Sequence, residues 1–161
     1  MNSLRPFMTL SILFVLTACS DTDKPTTALE LAKSSIIVDG HIDVPYRVLR
    51  EWEDVTQATA GGDFDYPRAI KGGLNAPFMS IYTPASLAAE GKSKERADEL
   101  ITLVEKIVSL APDKYAIATS PSQIREQFKQ GLISLPLGME NGSPIEGKIE
   151  NLAYFFNKGI R

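Results

Sequence analysis

The chain has 161 residues and a net charge of −3, and 43% of its residues are hydrophobic. This length is sufficient for one hydrophobic core, and the single cysteine excludes an intrachain disulfide or a cysteine metal cluster. The mildly acidic chain has no basic run and lacks the electrostatic signature of a nucleic-acid-binding protein, so no nucleic acid partner is expected.

Residues 1–18 have the pattern of a cleaved export signal. Arg5 precedes an apolar stretch that is too short to span a bilayer as a helix. The small residues before Cys19 resemble the bacterial lipoprotein cleavage box, which predicts removal of residues 1–18 and attachment of lipid to the Cys19 sulfur. An ordinary signal peptide that contains a cysteine is the alternative.

The same segment predicts where the protein resides. Residues 19–33 are expected to form a lipidated cysteine and a flexible tether, with the membrane as a partner through the lipid anchor. Ser20 follows Cys19 where an aspartate would favour retention in the inner membrane. The prediction is therefore an exported bacterial lipoprotein of the cell envelope, with the outer membrane preferred over the inner.

The folded part is predicted to begin at residue 34. The β-branched residues 36–38 indicate a buried strand, and Asp39, His41 and Asp43 follow it at alternate positions. Side chains two residues apart on an extended backbone point the same way, and an imidazole beside a carboxylate is a ligand set for a divalent metal. On spacing alone, the competing interpretation is a strand end with polar residues that face solvent.

The rest of the chain alternates between predicted strands and helices. A long loop at 51–62, expected on the site side of the fold, leads to a short helix closed by Gly72 and Gly73. The further elements are a strand at 76–82, a helix at 93–110, a short extended run at 115–119, a helix from the capping residue Ser120 to 130, a strand at 132–139 that delivers Glu140, and a helix at 145–158. This order predicts a parallel α/β architecture with right-handed crossovers.

The C-terminal residues give two further expectations. The apolar residues of the last helix that are expected to be buried are Ile149, Leu152, Ala153 and Phe156. Residues 160–161 look like the first step of another strand. Because three strands with helices leave one strand edge unpaired, the chain is expected to be the N-terminal part of a longer protein.

Three separated motifs occur in order along the chain. They are Val38-Asp39-Gly40-His41-Ile42-Asp43-Val44-Pro45; Asp65-Tyr66-Pro67-Arg68 with Gly72-Gly73 and Phe78-Met79-Ser80-Ile81-Tyr82; and Gly138-Met139-Glu140-Asn141-Gly142. Together they resemble the membrane dipeptidase (renal dipeptidase) family of zinc metallopeptidases. The resemblance implies that residues 34–161 are the N-terminal part of a (β/α)8 TIM-type barrel, truncated after about three strands, with its active site at the C-terminal ends of the strands.

The resemblance also implies a role for particular residues. Two zinc ions would lie at the mouth of the barrel, with His41 and Asp43 binding one ion and Glu140 bridging both. A metal-bridging hydroxide would then hydrolyse the peptide bond of a dipeptide, which makes Glu140 a catalytic as well as a metal-binding residue. Tyr46 and Tyr82 would line the substrate cleft, with partly buried packing as the alternative for both.

The chain departs from this family in its histidines. The second zinc of such enzymes takes two further histidines from later strands, whereas His41 is the only histidine here. The chain is therefore expected to carry ligands for an incomplete site and to be an inactive fragment of a zinc dipeptidase. The complete protein is expected to be able to form a homodimer. The alternatives are a catalytically inert lipoprotein binding module and another metal-dependent amidohydrolase.

Overall fold

The computed structural model describes residues 27–161, which fold into parallel sheets and helices. The strands of this part of the chain are β1 (Ile37–Ile42), β2 (Leu74–Tyr82) and β5 (Leu137–Glu140), which form one sheet in the order β1-β2-β5, and β3 (Tyr115–Ile117) and β4 (Ile133–Leu135), which form another. Its helices are α1 (Ala28–Ser34), α2 (Val44–Arg50), α3 (Tyr66–Gly72), α4 (Ser86–Ala89), α5 (Ser93–Leu110), α6 (Pro121–Lys129) and α7 (Glu150–Asn157), with a 3-10 helix at Ser143–Ile145. All three strand pairs are parallel, which confirms the predicted parallel α/β arrangement.

The N-terminal predictions are only partly covered by the structure. The export signal at 1–18 and Cys19 lie outside the described residues. The predicted tether extends too far, because α1 begins inside it under a capping box: Thr27 Oγ1 accepts from the backbone N of Glu30 at 3.2 Å, and Glu30 Oε2 accepts from the backbone N of Thr27 at 2.9 Å. Between residues 27 and 161, no helix is long and apolar enough to cross a bilayer.

The hydrophobic core lies between β2 and α5. Helix α5 has the predicted bounds, and Leu100 and Ile101 on its apolar face are fully buried. Met79 and Ile81 of β2 belong to the same cluster and are also fully buried. Removal of this aliphatic surface from water fixes β2 as the buried central strand of its sheet.

Pro136 divides the predicted strand at 132–139 into two. Strand β4 pairs with β3, whereas β5 pairs with β2, with Tyr82 opposite Glu140. Proline has no N–H to donate to a ladder, although the carbonyl of Pro136 still accepts from the backbone N of Met79 at 2.8 Å. The single strand was therefore wrong, but the predicted delivery of Glu140 at a strand end is confirmed.

The prediction for the last helix was wrong in its buried face. The residues of that helix predicted to be buried are exposed: Ile149 by 76%, Leu152 by 47% and Phe156 by 57%, together with Ala153. The buried positions of α7 are instead Asn151 and Phe155.

The face of α7 that turns inward combines the core residue Phe155 with two polar contacts. The Tyr154 hydroxyl donates to Asp98 of α5 at 2.9 Å, and Asn151 Nδ2 donates to the carbonyl of Ile145 at 3.0 Å. The second bond satisfies the amide of an asparagine that is only 6% exposed. The helix carries apolar residues on more than one face, so apolar periodicity alone did not identify the face that Phe155 and these bonds turn inward.

The loop between α2 and α3 packs near the start of β3, away from the carboxyl ends of β1 and β5. The Tyr115 hydroxyl donates to the carbonyl of Val55 at 3.1 Å, and Lys114 Nζ donates to the carbonyl of Thr56 at 2.9 Å. These contacts lie at the amino end of β3. The expectation that the loop covers the site was therefore wrong, because the buried Tyr115 hydroxyl takes one of the loop carbonyls as its acceptor.

Candidate metal centre

A histidine and two carboxylates meet at the carboxyl ends of β1 and β5. His41 is the penultimate residue of β1, Asp43 follows that strand, and Glu140 ends β5. His41 Nε2 lies 3.3 Å from Asp43 Oδ1 and 3.1 Å from Glu140 Oε2, and one potential ligand atom from each residue lies within 4.8 Å of the others. The structure therefore brings together the three residues predicted as metal ligands.

The local backbone that presents His41 and Asp43 is not a regular strand. The pairing of β1 with β2 shifts between Asp39 and Ile42, and Asp39 Oδ1 accepts from the backbone N of His41 at 2.9 Å. Asp43 has φ −87° and ψ 25°, and it occupies the N-cap position of α2 without a capping hydrogen bond from its side chain. The side chains of His41 and Asp43, two residues apart as predicted, meet at the end of β1, where the strand pairing is distorted and α2 begins.

Glu140 is positioned by a neighbour on β2 and by the turn that follows β5. Ser80 of β2 donates its hydroxyl to Glu140 Oε2 at 3.1 Å. The chain then turns at Asn141, which has φ 71° and whose Nδ2 donates to the carbonyl of Thr83 at 2.8 Å, while its Oδ1 accepts from the backbone N of Ser143 at 3.0 Å. Asparagine adopts this left-handed conformation more readily than most residues.

Ser80 and Asn141 were not predicted as individual site residues. Ser80 offers one signal, since it is the polar residue within the otherwise apolar sequence Phe78-Met79-Ser80-Ile81. Asn141 offers another, since an Asn-Gly pair directly after a strand end indicates a turn that needs a positive φ.

The metal-ligand cluster is open to solvent. The side chains of His41, Asp43 and Glu140 are 48%, 61% and 43% exposed. A cavity of about 390 Å³ lies beside them, with His41, Ser80 and Glu140 in its wall. The exposed carboxylates of Asp43 and Glu140 therefore keep acceptor positions that an ion or a ligand can take.

The chemistry of these side chains fits a divalent cation. An imidazole nitrogen and aspartate or glutamate oxygens are ligands that zinc takes in proteins, and catalytic zinc sites commonly use three protein ligands. The two carboxylates also concentrate negative charge at one place, which a cation would offset. His41, Asp43 and Glu140 could therefore hold one such ion between them.

The two tyrosines predicted to line a cleft lie together at the same end of the sheet. The rings of Tyr46 and Tyr82 meet edge to face, with centroids 5.1 Å apart and an interplanar angle of 80°. The Arg50 guanidinium lies 5.7 Å from the centroid of the Tyr46 ring. Their packing on one another is thus established, and their predicted contact with substrate stays a prediction.

A parallel sheet that presents a histidine and two carboxylates at its strand ends defines an α/β protein with a candidate strand-end metal centre. The chain belongs to the membrane dipeptidase family (peptidase family M19), whose model matches residues 26–161. The family recognised from the three sequence motifs is therefore confirmed.

Individual relatives agree with this assignment. The chain is 25% identical over 137 residues to dipeptidase ataJ of Aspergillus terreus, an alignment that covers 78% of this chain and 33% of that protein. Among solved structures, its fold is similar to that of the M19 dipeptidase AC, with a TM-score of 0.70 at 22% identity over 78% of this chain and 41% of the other. It is also similar to a metallopeptidase from Rhodobacter sphaeroides bound to a phosphinate mimic of the dipeptide L-Ala-D-Ala, with a TM-score of 0.69 at 20% identity over 78% of this chain and 44% of the other.

Each alignment covers most of this chain but less than half of the relative. The chain spans about a third of the length of the curated relative and less than half of either structural relative. The structural likeness therefore concerns the fold of the matched part.

Proposed function

We propose that the complete protein is a zinc-dependent dipeptidase. The observation that carries this proposal is the convergence of His41, Asp43 and Glu140 within 4.8 Å at the carboxyl ends of parallel strands, in a chain of the membrane dipeptidase family. The relatives named dipeptidases, and the structural relative that holds a dipeptide mimic, support a dipeptide as the substrate class.

The residues of this chain would have distinct tasks at such a centre. His41 would bind through Nε2 and Asp43 through a carboxylate oxygen of its exposed side chain, while the two oxygens of Glu140 suit it to bridge two ions. When bound, a zinc pair lowers the pKa of water and polarises the carbonyl of a peptide bond. The Tyr46 and Tyr82 rings would form one wall of the cleft and orient the dipeptide beside these ligands.

The proposal includes a larger architecture around the described residues. The parallel strands would be part of a (β/α)8 barrel, in which active sites lie at the carboxyl ends of the strands, as His41 and Glu140 do here. Because His41 is the only histidine of the 161 residues, any other imidazole ligands would come from sequence outside this chain. The greater length of the relatives supports that part of the proposal.

The cellular location is a separate part of the proposal. The pattern of residues 1–19 supports an exported lipoprotein that is anchored to the cell envelope through lipid on Cys19. Mass spectrometry of the N-terminal peptide from the native host should find a diacylglyceryl-modified Cys19, and the Cys19→Ser variant should leave the membrane fraction. An unmodified N-terminal peptide would contradict the anchor.

Hydrolysis by the complete natural gene product tests the proposed activity. The protein is stripped with a chelator, reloaded with Zn²⁺, and assayed for release of free alanine from L-Ala-D-Ala, with a tripeptide as the comparison substrate. We expect turnover of the dipeptide that is lost with the chelator and restored by Zn²⁺. A rate equal to that of buffer with Zn²⁺ for a panel of dipeptides would contradict the proposal.

A further inference from the structure

The central strand of the β1-β2-β5 sheet carries a buried hydroxyl beside the metal-ligand cluster. Ser80 is 1% exposed and lies between Met79 and Ile81, which are fully buried. It is paired in register with Gly138, two residues before Glu140 on β5. Since residues two apart on a strand share a face, Ser80 and Glu140 stand on the same face of the sheet.

The contact between Ser80 and Glu140 selects one carboxylate oxygen. The Ser80 hydroxyl donates to Glu140 Oε2 at 3.1 Å, and the same oxygen lies 3.1 Å from His41 Nε2. Hydrogen bonds to an ionised acceptor are stronger than those between neutral groups. The hydroxyl therefore holds the oxygen that faces the histidine.

Glu140 needs such support because its side chain is long and half exposed. Its side chain is 43% exposed, and within residues 27–161 its recorded polar contacts are those to Ser80 and His41. A glutamate that becomes fixed loses side-chain rotamer freedom, which opposes metal binding unless the protein orders it beforehand. Ser80 is held by the core, so it can supply this order.

We propose that Ser80 is a positioning residue that holds the Glu140 carboxylate toward His41 and thereby raises the affinity for the metal. This inference rests on the metal-binding part of the proposed function. Ser80 acts through Glu140, since the hydroxyl donates its proton to that carboxylate. Residues that hydrogen-bond to metal ligands commonly change metal affinity by about 10-fold to 100-fold when they are removed.

The first test compares two serine substitutions in the complete natural gene product. Ser80→Ala deletes the hydroxyl that reaches Glu140. Ser134→Ala is the matched control, because Ser134 is also 1% exposed on a strand, and its hydroxyl donates to Gln127 Oε1 at 2.6 Å, away from the ligands. Zinc affinity is measured by competition with a chelator of known strength, and the absorption spectrum of bound Co²⁺ reports the coordination.

The expected results separate positioning from general loss of structure. Ser80→Ala should lower zinc affinity by about 10-fold and alter the Co²⁺ spectrum, whereas Ser134→Ala should leave both unchanged. Ser80→Thr keeps a hydroxyl and should recover most of the affinity, which provides a second variant if Ser80→Ala folds poorly. Equal affinities for wild type, Ser80→Ala and Ser80→Thr would overturn the inference.

A double substitution tests whether Ser80 acts through Glu140. In a Glu140→Ala background, Ser80→Ala should change zinc affinity by less than about 2-fold, because the group it positions is gone. An unchanged 10-fold effect in that background would overturn the proposed route.

The same measurements distinguish this inference from the proposed activity. A wild type that binds zinc without cleaving dipeptides would contradict the dipeptidase function, while the serine comparison would still decide the role of Ser80. A wild type that binds no zinc would overturn both proposals.

Discussion

Two carboxylates of this molecule, Asp65 and Glu140, occupy opposite kinds of environment. Asp65 is 2% exposed, and its oxygens accept from the backbone N of Thr59 at 2.9 Å, the backbone N of Arg68 at 2.8 Å and Nε of Arg68 at 2.9 Å. The Glu140 side chain is 43% exposed and takes one serine hydroxyl beside an imidazole. The first carboxylate is saturated with donors, and the second retains free acceptor positions.

The donors around Asp65 also change the pKa of its carboxyl group. Burial alone would raise the pKa of Asp65, but hydrogen bonds from the backbone N–H groups of Thr59 and Arg68 and the nearby Arg68 guanidinium outweigh it and lower that pKa. Asp65 also caps α3 through the bond from Arg68 N. A carboxylate with every acceptor position filled, such as Asp65, stabilises the fold, whereas one with free positions, such as Glu140, can bind an ion.

The largest expected effect lies at the open carboxylate. Glu140→Gln keeps the shape of the side chain but removes its charge, so dipeptide hydrolysis by the complete protein should fall by at least about 1,000-fold, with the free energy of unfolding changed by less than about 1 kcal/mol. Steady-state kinetics and denaturant unfolding measure the two quantities. Glu126→Gln, the same change on the exposed face of α6, should affect neither. Normal turnover by Glu140→Gln would remove this residue from the mechanism.

The reverse result is expected at the saturated carboxylate. Asp65→Asn should lower the free energy of unfolding by about 2 to 3 kcal/mol, because an amide nitrogen would face N–H donors and the charge-assisted bonds would be lost. Zinc affinity should stay at the wild-type value. Urea unfolding and chelator competition measure these, with the exposed Asp113→Asn as the control. A clear loss of zinc affinity in folded Asp65→Asn would contradict the assignment of Asp65 to the stability of the fold rather than to metal binding.

A smaller effect is expected from pH. Because the folded pKa of Asp65 is lowered, its contribution to stability is fully present above the unfolded value of about 3.9 and is lost as the pH falls through the lowered folded value. The free energy of unfolding should therefore decrease as the pH is reduced below about 4, and this decrease should be shallower in Asp65→Asn. Urea unfolding between pH 2.5 and pH 6 measures both slopes. Parallel curves for the two proteins would contradict the assignment to Asp65.

The smallest expected effect concerns the backbone conformation of Asn141, the residue that follows Glu140. Asn141 has φ 71°, so Asn141→Ala should cost about 1 to 2 kcal/mol through left-handed strain and the lost bond to Thr83. Asn141→Gly should cost less, because glycine adopts this conformation without strain. Thermal unfolding of both variants measures the difference. Equal destabilisation would show that the hydrogen bond, rather than the conformation, carries the effect.

The sequence predicted the elements whose signals are local. The 3.6-residue periodicity gave α5 with its observed bounds, and the Ser120 cap with proline after it gave the start of α6. Ser120 Oγ accepts from the backbone N of Gln123 at 3.3 Å, and the Gln123 side chain accepts from the backbone N of Thr119 at 2.7 Å. Caps and periods depend on neighbouring residues, which is why they can be read from the chain itself.

The features that the sequence did not predict depend on contacts between distant residues. The buried face of α7 packs Phe155 into the core and joins Tyr154 to Asp98, and β4 and β5 pair separately with β3 and β2. At the site, residue types and strand ends indicated His41, Asp43 and Glu140. The contact of Ser80 with Glu140 joins residues 60 positions apart, which no local pattern encodes.

The most direct test of the account is a crystal structure of the complete natural gene product grown with Zn²⁺, with anomalous data collected on both sides of the zinc absorption edge. We predict an anomalous peak at about 2.0 to 2.2 Å from His41 Nε2 and from carboxylate oxygens of Asp43 and Glu140. Well-ordered density for these three side chains without a peak between them, while zinc is bound elsewhere on the protein, would contradict the claim that they form its metal centre.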